Sequence, residues 1–139
     1  MPGIEWKETD AVWETHHNVI AVWAFGSAQD GEIPQGGDLD IGVFFEAPPS
    51  LDELADLRSD LQQALGFEEI DLVVLNRANP VLRFEALSGR ALFCRDPGRR
   101  ADFASLTARE YEDEMAQLRR AISMSSSFSA QRAPSRYRG

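Results

Sequence analysis

The stretch VWAFGSAQDGEIPQGGDLDIGVFFE, residues 22–46, decides how this chain is read. One apolar run of strand length, Val19–Phe25, ends at Gly26-Ser27, and a polar loop with three more glycines follows. A second run, Leu39–Phe45, opens on Asp38-Leu39-Asp40. Continuous apolar runs of this length, bounded by glycine, predict buried strands. Alternate residues of a strand share a face and lie about 6–7 Å apart. Asp38, Asp40, Gly42 and Phe44 therefore face one way, while Leu39, Ile41, Val43 and Phe45 point into the core. Two carboxylates side by side, with no basic residue near them in sequence, repel each other and raise a pKa unless a cation sits between them. Hard oxygen ligands of this kind suit Mg²⁺.

Outward from this stretch, helix and strand patterns alternate. Residues 8–17 predict a short helix with Ala11, Val12 and Thr15 on one side. After the breaker Pro48-Pro49, Ser50 and Glu53 form a capping box. The helix behind it carries Leu51, Leu54, Leu57, Leu61 and Leu65 on one stripe, with Asp52, Asp56 and Asp60 toward water. A third strand spans about residues 68–75, EEIDLVVL, with Asp71 projecting opposite Ile70 and Leu72. Asn79 caps a short helix that has Pro80 at its first position and stops at Gly89. Arg90–Arg95 reads as a fourth, shorter strand. Asp96-Pro97 opens a final helical region where Ala104, Ala108, Tyr111, Met115, Leu118 and Ile122 recur at helical spacing. Thr107 and Glu110 offer a second capping box, which leaves open one helix or two. The order α-β-β-α-β-α-β-α predicts an α/β (α+β) fold, a mixed sheet of about four strands flanked by helices with a C-terminal helical segment.

Composition narrows the function classes. The chain has 139 residues, 14 basic and 23 acidic, for a formal charge of −9. A single domain of this size buries a proper core. Through Ile122, eleven basic residues face twenty-three acidic ones, a body charge of −12. That argues against binding nucleic acid or an anionic membrane, both of which need a basic face. The one lysine, Lys7, has no glycine-rich loop before it, so a Walker-type NTPase is excluded. Cys94 is the only cysteine, which rules out internal disulfides and thiolate zinc clusters. No apolar run is long enough to span a membrane, and a cytoplasmic location is expected. Residues 1–122 read as one domain. Residues 123–139, Ser-rich with three arginines and no acid, read as a tail that does not fold alone.

The chemistry concentrates at Gly26-Ser27 and three aspartates. Gly26 lets a phosphate approach the backbone, and Ser27 offers a hydroxyl and an N–H donor. Asp38, Asp40 and Asp71, on neighbouring strands, could hold two metal ions about 3.5–4 Å apart, the arrangement that stabilises attacking and leaving oxygens in phosphoryl transfer. The other candidates have plainer readings. His16-His17 precedes the first strand without a matched partner and reads as surface. Cys94 reads as a small core residue, Trp13 and Trp23 as packing, and Trp6 as cover for an edge or a partner.

Gly-Ser, ten residues, then Asp-x-Asp, with a third Asp on a later strand, resembles the nucleotidyltransferase fold of the DNA polymerase beta-like superfamily. The short chain, the run EEIDLVVLNRANPVLRFEAL and the downstream RALFCRDPGRRADF resemble the minimal nucleotidyltransferase (MNT) proteins, commonly antitoxins paired with HEPN-domain ribonuclease toxins. The resemblance covers roughly residues 8–122. It implies Mg²⁺, ATP as substrate, and transfer of AMP to a hydroxyl, in the antitoxin branch a Tyr of the partner toxin. By the same resemblance Asp38, Asp40 and Asp71 are the catalytic metal ligands, and Gly26 and Ser27 bind the nucleotide. Two positions depart from the family pattern: Asp30 stands where an Arg is frequent, and Gly37 where a Ser is frequent. Asp30 removes a phosphate contact and favours an alternative, a binding module that neutralises its toxin by occlusion. A further alternative is transfer to a small molecule.

Overall fold

The computed structural model describes residues 3–28, 30–33 and 36–132, with side chains described as far as Ser125. Its elements are α1 (Asp10–Thr15), β1 (Val19–Phe25), β2 (Leu39–Phe45), α2 (Leu51–Leu65), β3 (Ile70–Val74), α3 (Pro80–Leu87), β4 (Arg90–Cys94) and α4 (Pro97–Arg132). Short 3₁₀ turns precede α1 (Trp6–Thr9) and follow β1 (Gly26–Ala28). The strands form one mixed sheet in the order β3-β2-β1-β4. β1 runs antiparallel to both β2 and β4, whereas β2 and β3 are parallel, joined by the crossover through α2.

Both faces of the sheet are covered. On one, Leu39, Ile41, Val43 and Phe45 of β2 pack with Trp13, Val22, Leu57 and Leu61. On the other, Phe44, Ile20, Trp23, Leu75 and Ala86 meet Phe103. The aspartate-bearing face of β2 is thus solvated only at its start and becomes a second core by Phe44. Gly42 belongs to that second face, and a Cβ there would press on Leu75 at 3.1 Å and Ala86 at 3.3 Å. Its absence lets α3 lie close on the sheet.

Local chemistry sets the helix ends. The Ser50 hydroxyl accepts from Glu53 N, and the Asn79 side chain accepts from Leu82 N, with Pro80 opening α3. The Ser50 capping box is half made, because the Glu53 carboxylate is taken by Asn18 Nδ2. Gly66 ends α2 in the left-handed region at φ 65°.

The structure differs from the sequence pattern in several places. In α1 the buried residues are Val12 and Trp13, while Ala11 and Thr15 are exposed; six residues turn only once or twice, and the large indole decides which side is buried. Leu51, the first residue of α2, leaves the stripe and is 84% exposed. The last region is one unbroken helix. Thr107 is buried in its middle and Glu110 pairs with Arg83, so neither serves a cap. Its inward residues are Phe103 and Thr107, with Tyr111 and Met115 half-buried; Ala104, Ala108, Leu118 and Ile122 are exposed. α4 continues past Ile122 into the Ser-rich segment as far as Arg132, and residues 133–139 lie outside the described part.

Two aromatic stacks hold α4 to the body: Phe44 on Phe103, centroids 4.0 Å apart, and Phe84 on Tyr111, 3.9 Å apart. Stacked pairs of this kind add about 0.5–1.5 kcal/mol each beyond the area they bury. No helix of the described residues is long and apolar enough to cross a membrane.

Candidate active site

Strand register gathers the motif residues at one end of the sheet. Phe25 on β1 is paired with Asp40 on β2, and Asp40 with Asp71 on β3. In a parallel pair, residues in register project from the same face, so the Asp40 and Asp71 side chains share a face. Gly26 comes directly after the residue opposite Asp40. Its φ is +77°, a conformation that L side chains rarely adopt, and a Cβ on it would collide with Asp40 Oδ2. Only glycine lets the chain turn here while the Asp40 carboxylate stays in place. Ser27 is exposed in the 3₁₀ turn that follows, and buried Ala28 anchors that turn to the core.

The loop between β1 and β2 is tied down at several points. Ile33 is buried, Ile4 N donates to Gly31 O, and Gly3 bridges to Glu32. Asp30, where the resembling family frequently has Arg, accepts from Glu32 N through Oδ1 and so closes a local turn. Gln29, Pro34 and Gln35 lie outside the described residues.

The site is electrostatically negative. Burial first, then the charges of Asp71, Asp38 and Glu85, raise the Asp40 pKa above its ordinary value. The sequence anticipated the Asp38 and Asp71 contributions. It did not anticipate Glu85, which comes from α3. What brings α3 there is Gly89, whose missing side chain lets the end of that helix lie against Ala24 O and Phe25. Glycine after a helix signals its end, but nothing in the sequence says which strand the end will touch.

As a donor set, Asp38, Asp40 and Asp71 offer only carboxylate oxygens, which matches the preference of Mg²⁺. Among the described residues, no three Asp, Glu, His or Cys side chains converge closely enough to ligate one ion as they stand. Carboxylates without a cation between them repel. Beside Gly26 a groove of about 560 Å³ opens between α3 and α4, lined by Val81, Phe84, Glu85, Ser88, Gly89 and Tyr111.

The remaining candidates fall elsewhere. His16 is partnered after all, with Nε2 2.7 Å from Asp60 Oδ2, and His17 is exposed. Trp6 is buried in the main core instead of covering an edge, with no hydrogen bond to its Nε1 among the described residues. Trp13 and Trp23 are packed in the two cores, and Cys94 is half-buried at the end of β4.

Residues 7–98 match the family of polymerase beta nucleotidyltransferase domains. The chain belongs to that family. Its fold is also that of several solved structures. One, a toxin–antitoxin complex with AMP-PNP, is 21% identical, with TM-score 0.72 over 88% of this chain and 99% of that one. Another, a tri-AMPylated Shewanella oneidensis HEPN toxin in complex with MNT antitoxin, is 20% identical, with TM-score 0.66 over 87% and 95%. A third, the toxin–antitoxin complex MntA-HepT, is 20% identical, with TM-score 0.66 over 87% and 96%. No curated protein matches the sequence. The nucleotidyltransferase fold expected from Gly-Ser and Asp-x-Asp is therefore the fold of this chain.

Proposed function

We propose that this nucleotidyltransferase transfers AMP from ATP to a protein hydroxyl, a Tyr of a HEPN-type toxin, and so neutralises that toxin. The observation that carries the reading is the register Phe25–Asp40–Asp71, which sets the Gly26-Ser27 turn beside the Asp40 and Asp71 carboxylates. The neighbouring structures with AMP-PNP and with an AMPylated toxin support it by fold.

In this reading Gly26 and Ser27 bind the triphosphate, Gly26 by letting a phosphate approach the turn and exposed Ser27 by its hydroxyl and N–H. Asp38, Asp40 and Asp71 would hold Mg²⁺ ions, which when bound supply positive charge against the phosphate oxygens. Asp71 lies at the open edge of this carboxylate group, where the acceptor hydroxyl can approach, and its carboxylate takes the proton from that hydroxyl. The acceptor oxygen bonds to the α-phosphorus, the bond from that phosphorus to the bridging oxygen breaks, and pyrophosphate leaves along Gly26-Ser27. The shared negative field around Asp40 opposes the second carboxylate charge and is relieved by cations, which couples nucleotide binding to Mg²⁺.

Asp30 favours a second reading. It is engaged with Glu32 N where a phosphate-binding Arg is frequent, which suits a fold kept for complex formation without transfer. One assay separates the two. The chain is mixed with its partner toxin, Mg²⁺ and ATP labelled at the α-phosphate, and the products are resolved by gel. Label on the toxin, lost with Asp38→Asn or with chelator, is expected for transfer. A stable complex without label would replace transfer with occlusion.

A further inference from the structure

The transfer reading gives the reaction a direction across the sheet. Pyrophosphate departs along Gly26-Ser27, at the end of β1, and Asp71 on β3 takes the acceptor's proton. β2 lies between those strands, so the two groups are two strand spacings apart, about 10 Å. Phosphoryl transfer sets the attacking and leaving oxygens roughly in line. The acceptor hydroxyl therefore arrives from beyond β3, at the edge of the sheet.

That edge is open: among the described residues β3 pairs only with β2. Leu39 N donates to Glu69 O, and Leu75 N donates to Val43 O. Backbone groups alternate sides along a strand, so residues 69, 71, 73 and 75 turn theirs toward β2. Leu72 turns its N–H and C=O outward, and Val74 its N–H. Beside this edge lies a cavity of about 220 Å³, lined by Leu54, Ala55 and Arg58 of α2 and by Asp71 and Leu72. Arg58 is exposed and has no ion-pair partner among the described residues.

We infer that the free edge of β3 is the seat of the acceptor. An extended segment of the partner protein adds to it as a further strand, with its Tyr opposite Asp71 and an acidic residue next to that Tyr in the Arg58 cavity. The inference rests on the transfer reading for the Tyr, and on the edge and the cavity for the rest. Leu72 offers the added strand both a donor and an acceptor. Opposite residues share a face, so the Tyr lies on the carboxylate side, its Cβ about 4.5–5.5 Å from that of Asp71. The next residue projects from the other face, where Leu72 packs with Leu54 of α2. There the segment covers Arg58, whose charge needs an opposite partner once water is excluded. A Glu or Asp supplies it, and Leu54, Ala55 and Leu72 meet the apolar part of that side chain.

The test uses the full chain with Mg²⁺ and synthetic peptides of about seven residues, each with one central Tyr. The Tyr is flanked on both sides by Glu, by Gln or by Lys. Two further versions of the Glu peptide carry N-methyl groups on alternate amides, one on each of the two sets. Binding is read by fluorescence anisotropy without nucleotide, and transfer by label from α-labelled ATP. The Glu peptide should bind and be labelled roughly tenfold better than the Lys peptide, and Arg58→Glu should abolish that preference. One N-methylated version should bind roughly tenfold more weakly while the other keeps its affinity, because strand pairing uses alternate amides. Equal affinities of the two N-methylated versions, or a charge preference unchanged in Arg58→Glu, overturn the edge seat. If all peptides are labelled alike, transfer stands and the edge seat falls. If binding shows both signatures but neither a peptide nor the whole partner is labelled, the edge stands as a docking site and the transfer reading falls.

Discussion

Gly26→Ala probes the joint between the Gly26 turn and the Asp40 carboxylate. The substitution has two costs. At φ +77° an alanine occupies the left-handed region, a penalty of about 1–2 kcal/mol. Its Cβ also meets Asp40 Oδ2, the end of a short side chain that can rotate away. The second cost therefore falls on function, because the carboxylate moves. A loss of about 1–2 kcal/mol corresponds to a Tm drop of roughly 4–8 °C for a domain of this size. Thermal unfolding should show that drop, and calorimetry should show ATP binding with Mg²⁺ weakened by more than about tenfold. In an Asp40→Ala background the collision is gone, so Gly26→Ala should cost only the backbone penalty there, and its effect on nucleotide binding should vanish. Contacting residues couple in this way, whereas distant ones add. A Gly26→Ala protein with unchanged stability and unchanged ATP affinity would refute the argument.

The other expectations are briefer. Asp40 binds its proton more readily in the fold than unfolded, so with no divalent cation the protein should lose stability as pH rises from the ordinary Asp value through the raised one. Asp40→Asn should remove that dependence and raise Tm at neutral pH while abolishing transfer, as melts across pH and a labelling assay would show. Asn76 holds both Phe45 N and Phe45 O at the end of β2 away from the aspartates. Asn76→Ala should cost roughly 2 kcal/mol in urea unfolding and leave nucleotide affinity unchanged. Ser50→Ala removes the α2 cap and should cost about 1 kcal/mol by the same measurement.

Much of the fold was legible because β1 and β2 are buried on both faces and so read as unbroken apolar runs with glycine and proline at their ends. The caps at Ser50 and Asn79 were legible for the same local reason: each is a side chain and a backbone N–H three residues apart. That Asp40 and Asp71 share a face was legible from strand periodicity, whereas Asp38, expected on the same strand face, lies one residue before β2 begins. What depended on tertiary contact was not. Glu85 reaches Asp40 only because Gly89 lets α3 close on β1, a contact between residues far apart in sequence. Glu110 looked like part of a cap because helical spacing alone does not show that Arg83 lies opposite. The exposed Leu51 and the buried Thr107 likewise depend on where the helices lie against the sheet.

The central claim is that this fold carries out transfer, with Asp38 and Asp40 at the reaction centre. The most direct measurement is intact-mass analysis of the partner toxin after production together with this chain, followed by fragment analysis to locate any added mass. The account predicts AMP on a Tyr hydroxyl of the toxin with the wild-type chain and none with Asp40→Asn. A toxin held in complex yet unmodified, or modified equally by the Asp40→Asn chain, would contradict it.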